Sequence, residues 1–288
     1  TVILNGTYKG SGHEIEIDKD ITIDGLGKTT LNANHNSRIF NINSSNVILK
    51  NLNITNGFSS VYGGAITSSG KLTIINCNFI NNTASELGGA VYFVGNGEVI
   101  NCNFTNNSVS IDGGAVFFNE DATGNVTYCN FINNTASVDG GAVCFWSIGN
   151  VADCYFAGNT ASSSGGAVSM DSGNVTNCNF TSNEANGEKS SGGAICFDEA
   201  GNVINSIFKA NKATRTGGAI YVGEKSTNNN FSAQFYNNHA GQSGGAIFFR
   251  NSVENNTFDG IFKDNTAGYG AGMFFYKDAN GNKIEGEF

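Results

Sequence analysis

The chain has no proline and little charge: Asp, Glu, Lys and Arg make up only 14% of its 288 residues. Basic residues are the scarcest part, 15 Lys and Arg against 24 Asp and Glu, which leaves a net charge of −9. Nucleic-acid binding needs clustered cations to replace the counterions on phosphate, and docking on anionic lipid needs them too, so neither partner is expected. No apolar run approaches the roughly 18 residues that mark a spanning helix, so this segment is not expected to insert into a membrane. His13, His35 and His239 are scattered. There is no C-x-x-C zinc spacing, Ser-His-Asp order, phosphate loop or dinucleotide fingerprint. The chain opens at Thr1 directly into the strand-like run Val2-Ile3-Leu4, without a visible signal peptide, and Phe288 falls in mid-pattern. The expectation is a segment of a longer protein.

What is abundant is glycine, 39 residues, and asparagine, about 45 residues or one in six, far above ordinary usage. Such a composition with so few charges suggests disorder. Yet 22 Phe and an apolar fraction of 39% supply enough material for a core, so the polar residues must have a structural task.

That task appears in the repeat. Gly-Gly-Ala-(Val/Ile) begins at Gly63, Gly88, Gly113, Gly140, Gly165, Gly192, Gly217 and Gly244, at intervals of 25 or 27 residues. A degenerate copy follows at Gly270. In phase with it, Phe-x-x-Asn starts at Phe79, Phe104, Phe131, Phe156, Phe180, Phe208, Phe235 and Phe262. Each unit reads as short alternating strands with no helical period. A unit this small cannot bury its own face and must stack on its neighbours. Twenty-five extended residues trace about 80 Å, one circuit of a three-faced coil, with equivalent residues about 4.8 Å apart in adjacent coils. The fold expected is all-β, a right-handed parallel β-helix of about ten coils. Residues 1–45 would form a cap with the first irregular coils, and residues 46–288 the regular repeats, in one continuous domain.

Every repeated slot then becomes a column. The Phe of Phe-x-x-Asn stacks inward. The asparagines Asn82, Asn107, Asn134, Asn159, Asn183, Asn211, Asn238 and Asn265 would end their strands and bond to one another from coil to coil. Gly-Gly supplies a bend that a Cβ would block. Cys77, Cys102, Cys129, Cys154 and Cys178 share one slot, taken by Ser206, Ala233 and Gly260 in later coils. Small substitutes mark it as interior. Parallel in-register Cβ vectors suit a disulfide poorly, so a ladder of free buried thiols is expected. Cys144 and Cys196 lie two coils apart, roughly 9.6 Å, too far to pair.

The pairing of Phe-x-x-Asn with Gly-Gly-Ala-(Ile/Val) resembles the repeats of chlamydial polymorphic outer-membrane proteins. It also resembles the adhesin-like surface proteins of methanogenic archaea, in which a start like Val2-Ile3-Leu4-Asn5-Gly6-Thr7-Tyr8 and a segment like Ile21-Thr22-Ile23-Asp24-Gly25 precede such repeats. The resemblance implies an extracellular, cell-surface module that attaches to a glycan or protein of another cell. It supplies no catalytic residues. Free thiols in an exported protein would fit an anaerobic setting.

Strand alternation points Tyr92, Phe117, Cys144, Ser169, Cys196, Tyr221, Phe248 and Phe274 outward, followed two residues on by a column that includes Trp146, Asp171, Asp198, Arg250 and Tyr276. With the Ala of each motif they would form a shallow aromatic floor, a platform for a sugar or protein partner. The candidate ligand-binding residues are Tyr92, Phe117, Trp146, Asp171, Asp198, Tyr221 and Phe248. Asp171 and Asp198 stack in adjacent coils, as do Asp112 and Asp139. Stacked carboxylates repel unless a cation such as Ca2+ or a hydroxyl-rich ligand lies between them, and no other cofactor is expected. The alternatives to an adhesin are a polysaccharide-active enzyme of pectate lyase or polygalacturonase type and a pure spacer. The enzyme needs acids at glycosidase separation or a base beside a cation. Only Arg215 and Arg250 lie near the acids. About a dozen Asn-x-Ser/Thr sequons, Asn81, Asn106, Asn133 and Asn174 among them, offer glycosylation points if the chain is exported. A monomeric segment is expected.

Overall fold

A computed structural model describes residues 1–44 and 46–288. The chain is all-β. Its parallel strands wind into a solenoid of about eleven turns, one more than the motif count suggests. The register follows the repeat: Phe79 pairs with Phe104, Phe104 with Phe131 and Phe131 with Phe156, all in parallel ladders. The Val-x-Phe strands do the same, Val91 with Val116, Val116 with Val143 and Val143 with Val168. A third column aligns Val99, Val126, Val151 and Val175. A fourth, two residues wide, runs from Phe58–Ser59 to His239–Ala240. The boundary expected at residue 45 falls on the one undescribed position. Strands before it already share the ladders, since Ile15 pairs with Phe40 and Phe40 with Ile66.

The core is built of columns. Phe79, Phe104, Phe131, Phe156, Phe180 and Phe208 are fully buried, and their rings stack at 4.7 to 4.9 Å with nearly parallel planes. That spacing is the coil rise, so register and ring stacking require the same geometry. Corners are made by residues in the left-handed region: Asn51, Asn76, Asn101, Tyr128, Asp153, Asn177 and Asn205 hold φ between 50° and 57°. Asn tolerates this conformation better than other non-glycine residues. The two glycines of Gly-Gly serve different purposes. Gly88 has φ 66°, whereas a Cβ on Gly89 would overlap the Gly114 carbonyl oxygen of the next coil.

The asparagine column is a continuous buried network. Asn134 Oδ1 accepts from both the backbone N–H and Nδ2 of Asn107, each at 3.0 Å. Its own Nδ2 donates to Phe104 O and to Asn159 Oδ1, also at 3.0 Å. The same pattern links Asn82 through Asn265. It satisfies buried backbone groups where the strand turns and no ladder partner exists.

The cysteine column behaves similarly. The seven thiols are free and buried. Cys102 Sγ lies 3.4 Å from the Cys77 N–H and Cys129 Sγ lies 3.3 Å from the Cys102 N–H, each as acceptor. In the next coils Ser206 Oγ takes the Cys178 N–H at 3.1 Å. Where the slot holds Cys or Ser, the side chain also supplies an acceptor for the backbone N–H of the preceding coil; Ala233 and Gly260 meet only the demand for small size. Burial holds the Cys102 and Cys154 thiols well above the ordinary range.

Candidate binding groove on the outer face

The outward column of the Val-x-Phe strand differs from the open floor expected. Tyr92, Phe117 and Cys144 are buried, Phe117 completely. They form a second apolar cluster outside the coil wall, closed by Leu87 from the loop before Gly-Gly and flanked by Tyr62. Trp146 caps it, its ring set edge-on to Phe117 at 5.0 Å, and remains 43% exposed. Tyr92 and Phe117 are thus withdrawn from any ligand. The cause is the loop, which folds back over its own strand, as side-chain alternation could not reveal. The motif alanines are corrected as well. Ala90, Ala115 and Ala142 lie in the main core rather than on the outer face. The backbone N–H groups of Ala90 and Val91 both bond to Ala115 O, so the corner turns two successive side chains inward.

Further along, the same outer face opens. Tyr221 is half-buried and its ring stacks on Phe248 at 5.6 Å, and Phe248 stacks on Phe274 at 5.6 Å. Tyr221 and Phe248 floor a groove of about 520 Å³, bounded on the loop side by Lys189, Ser191, Arg215 and Thr216 and on the strand side by Asp198, Arg250 and Tyr276. Gly223 contributes no side chain that could cover these rings. It occupies the position between Asp198 and Arg250, where an earlier coil carries Trp146, and its N–H bonds to Phe197 O as the Arg250 N–H bonds to Val222 O. Of the seven candidate residues, the structure brings Tyr221, Phe248 and Asp198 to one groove. It places Trp146 on the closed cluster and Asp171 beside Asp198, one coil away.

The two expected acid pairs lie on one ledge at the N-terminal end of the groove. Asp112 Oδ1 accepts the Asp139 N–H at 2.8 Å, and Asp139 Oδ1 accepts the Ser164 N–H at 2.7 Å. These carboxylates serve the column of coil-to-coil bonds. Burial pushes Asp112 up to about 6, with repulsion from Asp139 adding to it and bonds from the Asp139 N–H and Trp146 opposing. Asp198 is raised by loss of water first and then by Asp139, and Asp171 by loss of water and Glu199. Among the described residues no three His, Cys, Asp or Glu side chains are grouped to hold a metal ion. Beneath the ledge burial also drives Cys144 and Cys196 upward, with nearby acids contributing.

Tyr276 lies where the outward column placed it, but Lys189 carried no sequence signal as a rim residue. It sits in a loop lengthened by insertion, where periodicity says least. No helix is long and apolar enough to cross a membrane among the described residues.

No curated protein matches the chain. A family model for the Chlamydia polymorphic membrane protein repeat matches residues 76–94, 128–145, 153–170, 205–223 and 232–250. Each of these segments runs through Phe-x-x-Asn and Gly-Gly-Ala into the following strand, the part of the coil that builds the Asn column and carries the outward residue. Over these five stretches, about a third of its length, the chain is similar to the Chlamydia polymorphic membrane protein repeat.

Proposed function

We propose that the chain is the repeat region of a surface-displayed, adhesin-like protein, and that it holds a saccharide of a partner cell or surface in the groove over Tyr221 and Phe248. Surface display is supported by the five repeat matches. Saccharide binding is supported by one structural contrast: the outer aromatic column is sealed by a loop and Trp146 in the earlier coils, but stands open over Tyr221 in the later ones. An aromatic face takes the C–H side of a sugar ring, while hydroxyl and charged groups around the rim read its oxygens. Serine, threonine and arginine side chains are all present at that rim.

A saccharide array probed with the chain and with its Tyr221→Ala and Trp146→Ala variants tests the reading. Binding to at least one saccharide class should be lost in the first variant and kept in the second. A blank array, or equal loss in both variants, would remove the proposal.

A further inference from the structure

We infer that the groove selects saccharides bearing a carboxylate, with Arg250 and Arg215 reading the charge; this rests on the saccharide reading above and narrows it. The chain is acidic overall, at −9, yet three of its 15 basic residues, Lys189, Arg215 and Arg250, converge on this one groove against a single lining acid, Asp198. Two of the three arginines in the chain are there, and the third, Arg38, pairs with Glu14 far away in the first coils.

The groove cations are not engaged in ion pairs. Among the described residues, salt bridges occupy Arg38, Lys50, Lys212, Lys225 and Lys283, and none involves the three groove residues. Arg215 is steadied by its neighbour coil, its Nε donating to Gln242 Oε1 at 3.1 Å, which leaves the terminal guanidinium nitrogens to point elsewhere. Arg250 lies against the Tyr221 hydroxyl at the edge of the ring floor. The two guanidiniums thus stand on opposite walls, one on the loop side and one on the strand side, with the aromatic floor between them. A sugar ring set against Tyr221 beside the edge of Phe248 would present an equatorial carboxylate to a planar fork of donors, the geometry that favours Arg over Lys.

The test uses the full chain and a matched pair of probes, an oligogalacturonate and its methyl ester, which share every ring atom and differ in charge. A sialyl oligosaccharide serves as the second carboxylate source. Calorimetry should show the acid bound at least about tenfold more tightly than the ester, an advantage that shrinks with added salt. Arg250→Gln and Arg215→Gln should each reduce acid binding toward the ester level, while Lys263→Gln, an exposed cation outside the groove, changes nothing. Both arginines are exposed, so the variants should fold, and matched unfolding curves verify it. Preference for the sialyl probe over the oligogalacturonate supports the inference and fixes the source. Equal binding of acid and ester, with both lost in Tyr221→Ala, overturns the charge reading and leaves the saccharide reading standing. No binding of any probe overturns both.

Discussion

Replacing Asn134 by Ala should be one of the most damaging single changes available outside the aromatic core. The side chain is fully buried and makes four hydrogen bonds, two as acceptor from Asn107 and two as donor to Phe104 O and Asn159 Oδ1. Truncation leaves the Asn107 backbone N–H and one Asn107 amide hydrogen buried without partners, while the Phe104 carbonyl keeps the ladder to the next coil. Asn159 Oδ1 keeps its bond from the Asn134 backbone N–H. Two stranded groups at about 1–3 kcal/mol each give a loss on the order of 2–5 kcal/mol. That is a large share of the roughly 5–15 kcal/mol typical of a folded domain. The neighbouring Asn133 is exposed and in the left-handed region at φ 55°, so Asn133→Gly should change stability by less than about 1 kcal/mol. Urea unfolding followed by far-ultraviolet circular dichroism compares the two. If Asn134→Ala costs no more than Asn133→Gly, the network is not what holds the turn.

Other expectations follow from the columns. Phe131→Ala opens a gap in a fully buried stack between Phe104 and Phe156 and should cost about 3–5 kcal/mol in the same assay. Cys129→Ser keeps an acceptor for the Cys102 N–H, as Ser206 does for Cys178, whereas Cys129→Val removes it; thermal melts should rank Ser above Val although Val is the more apolar. Asp112 has a folded-state value near 6 against an ordinary 3.8. The fold therefore prefers the neutral acid, and that preference is fully present below about pH 4 and is lost as pH rises through about 6. Asp112→Asn keeps an oxygen for the Asp139 N–H and should flatten the stability profile between those values, by an amount on the order of 2–3 kcal/mol. Asp24, held near 2 by Asn51, the Leu26 N–H and Lys50, acts in the opposite sense: its contribution is present above about pH 4 and is lost as pH falls toward 2.

The architecture was legible because the repeat is spelled twice. A Phe and a Gly-Gly recurring in phase force one residue above another, and from that the Asn and Cys columns follow. What periodicity supplied less well was the outer face. Alternation correctly separates Tyr92 and Phe117 from the main core, but whether an outward side chain meets water depends on where the preceding loop lies. Leu87 folds over it in one coil, while the loops carrying Arg215 and Gln242 leave Tyr221 open. Loop paths are set by residues that do not repeat, such as Leu87 and Arg215, and no neighbouring coil serves as a guide to them. The alanines failed for a related reason: a corner breaks alternation, so two adjacent side chains face inward.

The most direct test of the groove is a residue-resolved map of ligand contact. Isotope-labelled chain titrated with an oligogalacturonate should show backbone and side-chain shifts confined to the coils carrying Tyr221, Phe248, Arg215 and Arg250, with the coils of Tyr92, Phe117 and Trp146 silent. Shifts centred on the sealed coils, or spread evenly along the solenoid, would contradict the account.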